Sequence, residues 1–209
     1  MNKGLVWNVL FLFAGALAPA QQIIHLKNPS FELDKKNKCG EEPLYWDNLG
    51  DEFETAPDVQ PGCFNVTTYA LHGTLYLGLV VRDNGTGESV GQALNGQLEK
   101  DSTYLFTLSL ARAPVLTSMS RTTGREASYN KACSLQIYAV HTDDKRTELI
   151  GETYPVAHTD WKDYTFEFRP TLGSYNYLQL KAVFSPESDG FYNGNILIDN
   201  LSAITQKTP

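Results

Sequence analysis

The chain has 209 residues, and its 17 Lys and Arg side chains against 24 Asp and Glu give a formal net charge of −7 at pH 7. This acidic balance excludes a non-specific electrostatic attraction to nucleic acid or to an anionic membrane surface. The length is sufficient for one domain with a sizeable core.

The chain begins with a predicted secretory signal peptide. Lys3 precedes an apolar run that ends near Leu17, and small residues follow up to Ala20. This order predicts export and cleavage after Ala20, and the apolar run is too short to span a membrane comfortably. We therefore expect residues 1–20 to be a signal peptide and residues 21–209 to form a single exported domain without a transmembrane segment.

Residues 33–70 form the first long segment without strand periodicity, and they are rich in Pro, Gly and acidic residues. A loop of this length is uncommon in a compact domain and is often functional. It contains Tyr45 and Trp46, whose rings can stack on an apolar ligand face. We expect both residues to contribute to a ligand site, while Trp46 has an alternative place in the core.

The chain has three cysteines, Cys39, Cys63 and Cys133. In an exported protein two of them are expected to pair. The short separation of Cys39 and Cys63 favours that pair, which leaves Cys133 as a buried thiol.

From Leu75 onward the pattern predicts β-strands separated by turns. Leu75, Leu77, Leu79 and Val81 alternate with other residues and give one aliphatic strand face. Further predicted strands are 88–94, 102–113, 133–140, 160–170, 176–184 and 195–204. Many short strands, each with one apolar face and joined by Gly, Asn, Asp and Pro turns, predict an all-β fold of two packed antiparallel sheets. The expected architecture is a β-sandwich, in particular a jelly roll.

A second long polar segment, residues 112–132, lies between two predicted strands. It carries Arg112, Arg121, Arg125 and Tyr129. Guanidinium groups can bind carboxylates through paired hydrogen bonds, and a tyrosine ring can stack on a ligand. We expect these four residues to bind a ligand, with a solvated loop as the alternative.

Patterns typical of catalysis are missing from the sequence. It contains neither an HExxH motif nor a Gly-x-Ser-x-Gly elbow. Its adjacent acids, such as Glu41 with Glu42 and Asp143 with Asp144, lie in polar segments where a solvated surface is the ordinary arrangement. We therefore expect a protein that is not an enzyme.

Four short motifs resemble a known group of domains. They are NPSFE at 28–32, GTLYLGL at 73–79, WKDYTFEF at 161–168 and YNGNILIDNLSAI at 192–204. Together they resemble galactose-binding-like jelly rolls, which include many carbohydrate-binding modules of secreted bacterial proteins. The resemblance extends to the jelly-roll domains of exported proteins in the Bacteroidetes lineage, and it covers nearly the whole mature chain.

The resemblance also implies a structural calcium site. In many modules of this type the Glu of the first turn and an Asp of the last strand meet at Ca²⁺, which implies Glu32 and Asp199 here, together with Asn28. Calcium binds six to eight oxygens from carboxylates and carbonyls, which an irregular turn can supply. Alternatively, the two carboxylates hold turns through backbone hydrogen bonds without a metal.

Three hypotheses for function follow. The first is a non-catalytic exported module that recognises carbohydrate or another cell-surface ligand through its long loops. The second is an accessory subunit that docks onto an outer-membrane or secretion complex. The third is a hydrolase or lyase on a jelly roll. The expected location is the periplasm, the outer-membrane surface or the extracellular space.

Overall fold

A computed structural model describes residues 21–33 and 39–208. The predicted signal peptide, residues 1–20, lies outside the described residues. Within the described ranges all regular structure is β-strand, and no helix is long and apolar enough to cross a membrane. The strands are β1 (Ile23–Ile24), β2 (Asp47–Asn48), β3 (Asp58–Gln60), β4 (Tyr76–Val81), β5 (Ser89–Leu98), β6 (Tyr104–Ala111), β7 (Thr117–Met119), β8 (Glu126–Ser128), β9 (Lys131–Ala132), β10 (Ser134–Val140), β11 (Thr147–Glu152), β12 (Lys162–Phe168), β13 (Tyr175–Val183), β14 (Gly194–Asp199) and β15 (Ile204–Gln206).

Two large sheets pack face to face, and β7 and β8 form a separate two-stranded sheet. The larger, eight-stranded sheet has the order β1-β15-β6-β14-β4-β3, with β12 also paired to β6 and the short β9 paired in parallel to β14. The five-stranded sheet has the order β11-β10-β13-β5-β2, and all of its pairs are antiparallel. The predicted all-β sandwich of jelly-roll type is confirmed.

The main core lies between the two sheets and uses the predicted strand faces. Leu77, Leu79 and Val81 of β4 point into it, as do Leu178 and Leu180 of β13. Alternate residues of each strand therefore face the core and the outside, as the period of two in a β-strand requires.

A second apolar cluster covers the outer face of the eight-stranded sheet. Tyr76, Val80 and Leu197 of that sheet pack there against side chains from the two long segments, including Val66 and Tyr129. The long segments thus fold over one sheet and bury its outer face. Many outward residues of the five-stranded sheet, by contrast, are half-buried or exposed: Gln136, Tyr138, Val140, Tyr177, Gln179 and Lys181.

The predicted disulfide is confirmed. Cys39 and Cys63 are bonded, with their Cα atoms 5.5 Å apart, and Cys133 is a free, buried thiol as expected. The bond closes the first long segment beside β3.

Candidate functional site

The uncovered face of the five-stranded sheet contains a groove of about 540 Å³. Its floor follows from the strand register: Val140 of β10 lies opposite Tyr177 of β13, and Gln179 of β13 lies opposite Gly91 of β5. The groove is lined by Asp47, Leu49, Val140, Thr142, Lys145, Thr147, Tyr177 and Gln179. It crosses the strands from β11 to β2, so that its length is set by the width of the sheet.

Tyr177 is held in a fixed orientation in this groove. Its hydroxyl donates a hydrogen bond of 2.7 Å to Oδ2 of Asp47, and the ring passes over β5 at Gly91 to reach that carboxylate on β2. A Cβ atom at Gly91 would lie only 2.7 Å from Cδ1 of Leu49, and closer still to the Tyr177 ring. Because glycine has no side chain, position 91 leaves room for the ring of Tyr177.

The same contacts keep the Tyr177 hydroxyl protonated. Burial raises the pKa of Tyr177 above its ordinary value, and the hydrogen bond to Asp47 and the charge of that carboxylate raise it further. The ring is a neutral, half-buried aromatic surface whose orientation is fixed before any ligand arrives. Such preorganisation lowers the entropic cost of binding.

Hydrogen bonds also orient the polar side chains around the groove. Gln179 donates from Nε2 to Oγ of Ser89 at 2.9 Å, and the Tyr138 hydroxyl donates to Oε1 of Gln136 at 2.7 Å. The two charged groups of the lining, Asp47 and Lys145, have opposite signs. The groove lining thus presents the amide of Gln179, the hydroxyls of Thr142, Thr147 and Tyr177, and two charges of opposite sign.

A second depression of about 450 Å³ continues from the groove and shares Asp47 with it. Its lining includes Tyr45, whose side chain is 66% exposed, and Lys27, whose Nζ lies 5.9 Å from the centre of the Tyr45 ring. The sequence predicted that Tyr45 binds a ligand, and in the structure its exposed ring lies beside the groove.

The predictions for Trp46 and Tyr129 as ligand-stacking residues are wrong. Trp46 is 2% exposed, packs 5.1 Å from the ring of Phe31 and donates from Nε1 to the carbonyl of Asn28. Tyr129 is 1% exposed and donates its hydroxyl hydrogen to the carbonyl of Met119. Both rings fill core positions because the two long segments fold inward onto the sandwich. The alternative place of Trp46 in the core is the correct one.

The three predicted arginines do not form one ligand site, and none of them lines the groove. Arg112 donates to the backbone carbonyls of three residues, Ala113, Asn130 and Ala157, and so fixes its own segment. Arg121 pairs through Nε with Oε2 of Glu54 at 2.7 Å. Arg125 is exposed on the β7–β8 hairpin. For Arg112 and Arg121 the contacts are those of residues that hold loops in place.

Arg121 lies at the edge of a buried cluster of charged groups. Arg82 and Glu88, each 2% exposed, form an ion pair inside it, and Glu54 lies 3.4 Å from Nε of Arg82. Burial raises the pKa of Glu88 while the adjacent charge of Arg82 opposes that rise, and burial raises the pKa of nearby Asp58 to about 6. The cavity beside the cluster measures about 20 Å³, which is room for one water molecule. The cluster is therefore too closed to take an organic ligand.

The raised pKa of Asp58 makes stability depend on pH. A carboxyl whose pKa is higher in the folded state binds protons on folding, so its contribution is complete below about pH 4 and is lost as the pH rises to about 6. We expect the free energy of unfolding to fall across this window by up to about 1.4 kcal/mol per pH unit relative to Asp58→Asn. Asparagine keeps the acceptor that the Gly40 amide uses. Urea unfolding at several pH values measures the difference, and parallel profiles of the two proteins would contradict it.

The residues of the expected calcium site form a clasp between the two ends of the described chain. Glu32 accepts hydrogen bonds from the amides of Thr74 and Leu75 at 2.7 and 3.0 Å. Asp199, which is fully buried, accepts from the amides of Leu71 and His72, both at 2.9 Å. Both carboxylates thus bind one short turn, 71–75.

The side chain of Asn28 exchanges hydrogen bonds of 2.8 Å with the backbone of Glu32, and its Nδ2 also donates to the carbonyl of Leu44 at 3.1 Å. Within the described ranges, the one group of at least three metal-ligating side chains with atoms inside 4.8 Å is Cys39, Asp58 and Cys63, whose sulfurs are in the disulfide. The observed contacts are those of the metal-free alternative, and calcium stays a prediction. If calcium fills the clasp, adding a chelator should lower the melting temperature of the protein. If hydrogen bonds alone hold the clasp, the chelator should leave the melting temperature unchanged.

No protein-family model matches this sequence, and no curated protein matches it. Solved structures show similarity of fold at low sequence identity. A Stig cyclase, Fisc from Fischerella sp. TAU, in complex with (3Z)-3-(1-methyl-2-pyrrolidinylidene)-3H-indole, is 13% identical, with a TM-score of 0.55 over 90% of this chain and 99% of that chain. A cyclase from the same organism in complex with 4-(1H-indol-3-yl)butan-2-one is also 13% identical, with a TM-score of 0.55 over 90% of this chain and 98% of that chain.

Carbohydrate-binding modules are also among the similar structures. TmCBM61 in complex with β-1,4-galactotriose is 15% identical, with a TM-score of 0.44 over 86% of this chain and 97% of that chain.

The expectation that the chain is not an enzyme has to be corrected. Cyclases are among the solved structures with this fold, so an all-β sandwich without a catalytic sequence motif does not exclude catalysis. At this level of identity the similarity shows the fold alone, since one fold hosts many functions.

Proposed function

We propose that the protein binds a linear carbohydrate chain in the groove on the outer face of the five-stranded sheet. The observation that carries the proposal is the fixed, half-buried ring of Tyr177 on a sheet face left uncovered. The proposed site therefore lies on a sheet face, and the first long segment contributes Asp47 and Leu49 to one end of it.

The chemistry of the groove matches that of a sugar chain. Sugar rings have apolar C–H faces that pack on an aromatic ring, and their hydroxyls pair with amides and hydroxyls at the rim. Tyr177 supplies the ring, while Thr142, Thr147 and Gln179 supply polar groups of the lining. The opposite charges of Asp47 and Lys145 favour a neutral chain over an acidic one.

The dimensions of the sheet indicate the length of the ligand. Neighbouring strands lie about 4.8 Å apart, so that five strands from β11 to β2 span about 19 Å. The adjoining depression at Tyr45 extends this path. An open groove of this length suits a segment of a linear oligosaccharide. The predicted signal peptide agrees with this proposal, because export would bring the protein to extracytoplasmic polysaccharides.

Affinity gel electrophoresis with a panel of soluble neutral and acidic polysaccharides tests the proposal. We expect at least one neutral polysaccharide to retard the protein relative to a non-binding reference protein. Retardation by none of them, combined with co-purification of the protein with a membrane complex, would favour the accessory-subunit hypothesis. Chromatography of the same polysaccharides after incubation would reveal any cleavage, so the measurement also detects a hydrolase or lyase.

A further inference from the structure

We propose a second ligand site, at Phe191, that takes a single sugar ring or the end of a sugar chain. The site is a cavity of about 370 Å³ at the end of β13 that leads to β14, and its lining includes Lys131, Ser188, Asp189 and Phe191. This site is separate from the groove, because the linings of the two cavities have no residue in common.

Phe191 forms a rigid aromatic surface with one side in solvent. The side chain is 65% exposed, yet its ring packs 5.1 Å from the ring of Phe184. Gly85, at φ +91°, lies directly against it, since a Cβ there would come within 2.8 Å of Cε2 of Phe191. The ring is therefore supported from behind while its other surface is free to receive a ligand.

The floor of the cavity is held equally firmly. The hydroxyl of Tyr192 accepts a hydrogen bond from the amide of Ser185 and donates one to the carbonyl of Ala132, both at 2.7 Å. The ring of Phe184 packs edge-on against the ring of Tyr192 at 5.3 Å. These contacts join the 184–192 segment to β9, so that the cavity exists before a ligand binds.

Polar groups at the rim define the class of ligand. Lys131, whose Nζ lies 5.2 Å from the centre of the Tyr192 ring, and the exposed Asp189 bring opposite charges to the lining. The hydroxyl of Ser188 adds a neutral polar group. A ligand with one apolar face and several hydroxyls satisfies the aromatic surface and these groups together, and a neutral sugar ring has both features.

The second site lies far from the groove. Tyr177 marks the groove, and Phe184, which supports Phe191, lies seven residues further along the same chain segment. At about 3.3 Å per residue in a strand, the two positions are about 23 Å apart. A polysaccharide long enough to reach both sites would gain avidity, because the second contact becomes intramolecular.

An NMR titration of ¹⁵N-labelled protein with methyl glycosides of galactose, glucose and xylose tests the proposal. We expect at least one glycoside to shift the backbone amide signals of Gly85, Phe191 and Tyr192, and Phe191→Ala to weaken this binding by about tenfold or more. Phe191→Tyr keeps an aromatic ring and should retain binding. Tyr69→Ala, which removes another exposed aromatic side chain, should leave it unchanged.

Two further variants test the position of the Phe191 ring and the separation of this site from the groove. Gly85→Ala should displace the Phe191 ring and weaken binding without removing an aromatic residue. Tyr177→Ala should leave the signals at Phe191 responsive to the glycoside, which separates this site from the groove. The proposal is overturned if no glycoside moves the signals of the 184–192 segment, or if Phe191→Ala, with an unchanged melting temperature, binds as tightly as the parent chain.

Discussion

Replacing Arg82 with methionine should lower the free energy of unfolding at neutral pH by about 3–5 kcal/mol, the usual cost of leaving one partner of a buried ion pair alone. Arg82 is the buried cation beside Glu88 and Glu54, and it also donates to Oγ1 of Thr55. Methionine keeps most of the volume and removes the charge. Glu88 would then remain in an apolar surrounding near Asp58, and the two acids repel each other when ionised. Urea unfolding measures the loss.

Two further variants control this result. The double variant Arg82→Met with Glu88→Gln removes both charges and should regain part of the lost stability, because a buried amide costs less than a buried unpaired carboxylate. Arg169→Met removes an arginine whose pair with Asp101 is more than half exposed, and we expect it to cost about 1 kcal/mol or less. A loss for Arg82→Met as small as that for Arg169→Met would show that the buried pair is not a main support of the fold.

Replacing Tyr177 with alanine should weaken polysaccharide binding by about 30-fold or more, since loss of a central aromatic contact typically costs about 2 kcal/mol. The ring is the aromatic surface of the groove floor, and its position depends on Gly91 and Asp47. Tyr177→Phe keeps the ring but loses the hydroxyl that is bound to Asp47, so we expect a smaller loss. Affinity gel electrophoresis across a range of polysaccharide concentrations measures each affinity.

A matched control for Tyr177 is Tyr69→Ala, because Tyr69 is a tyrosine with 87% exposure that lies outside the groove lining. It should bind like the parent chain. Gly91→Ala provides the complementary change: it removes no aromatic group, yet it should weaken binding because the new Cβ displaces the Tyr177 ring and Leu49. Equal binding by Tyr177→Ala and the parent chain would place the ligand elsewhere.

Most of the longer strands were predictable because their apolar residues alternate, although the predicted strand 195–204 is divided into β14 and β15. The segment NYLQLKAVF shows Leu178, Leu180 and Ala182 on one face, and these residues do face the core in β13. The edge strand β11, Thr147–Glu152, was not predicted, because only Ile150 of its six residues is buried and an alternating pattern is hardly visible. Edge strands of this kind leave a weak sequence signal.

The ligand site was predictable only in part. Trp46 and Tyr129 had the residue types of a stacking site, but their burial depends on how the long segments fold over the larger sheet. The local sequence does not predict this long-range packing. Tyr177 and Gln179 lie on the outward face that the strand period predicts, yet only the packing of the long segments shows that this face stays open. The disulfide was easier to predict, since few pairs were possible.

The clasp formed by Glu32 and Asp199 was likewise predictable only in part. The family resemblance implied that Glu32 and Asp199 meet at a calcium site, and the structure brings both to the turn at 71–75, where they bind protein groups. Most of their partners in that turn are backbone amides, which any residue type would supply, and the hydroxyl of Thr74 adds one side-chain donor to Glu32. A sequence pattern of side chains therefore could not name them.

An NMR titration of the ¹⁵N-labelled protein with an oligosaccharide of the retarding polysaccharide locates the bound chain most directly. The groove predicts that the largest changes in amide signals come from Asp47, Gly91, Tyr177 and Gln179, on neighbouring strands of the five-stranded sheet. Changes confined to residues 112–132, or saturating binding that leaves the signals of β5 and β13 unmoved, would contradict a carbohydrate site on this sheet face.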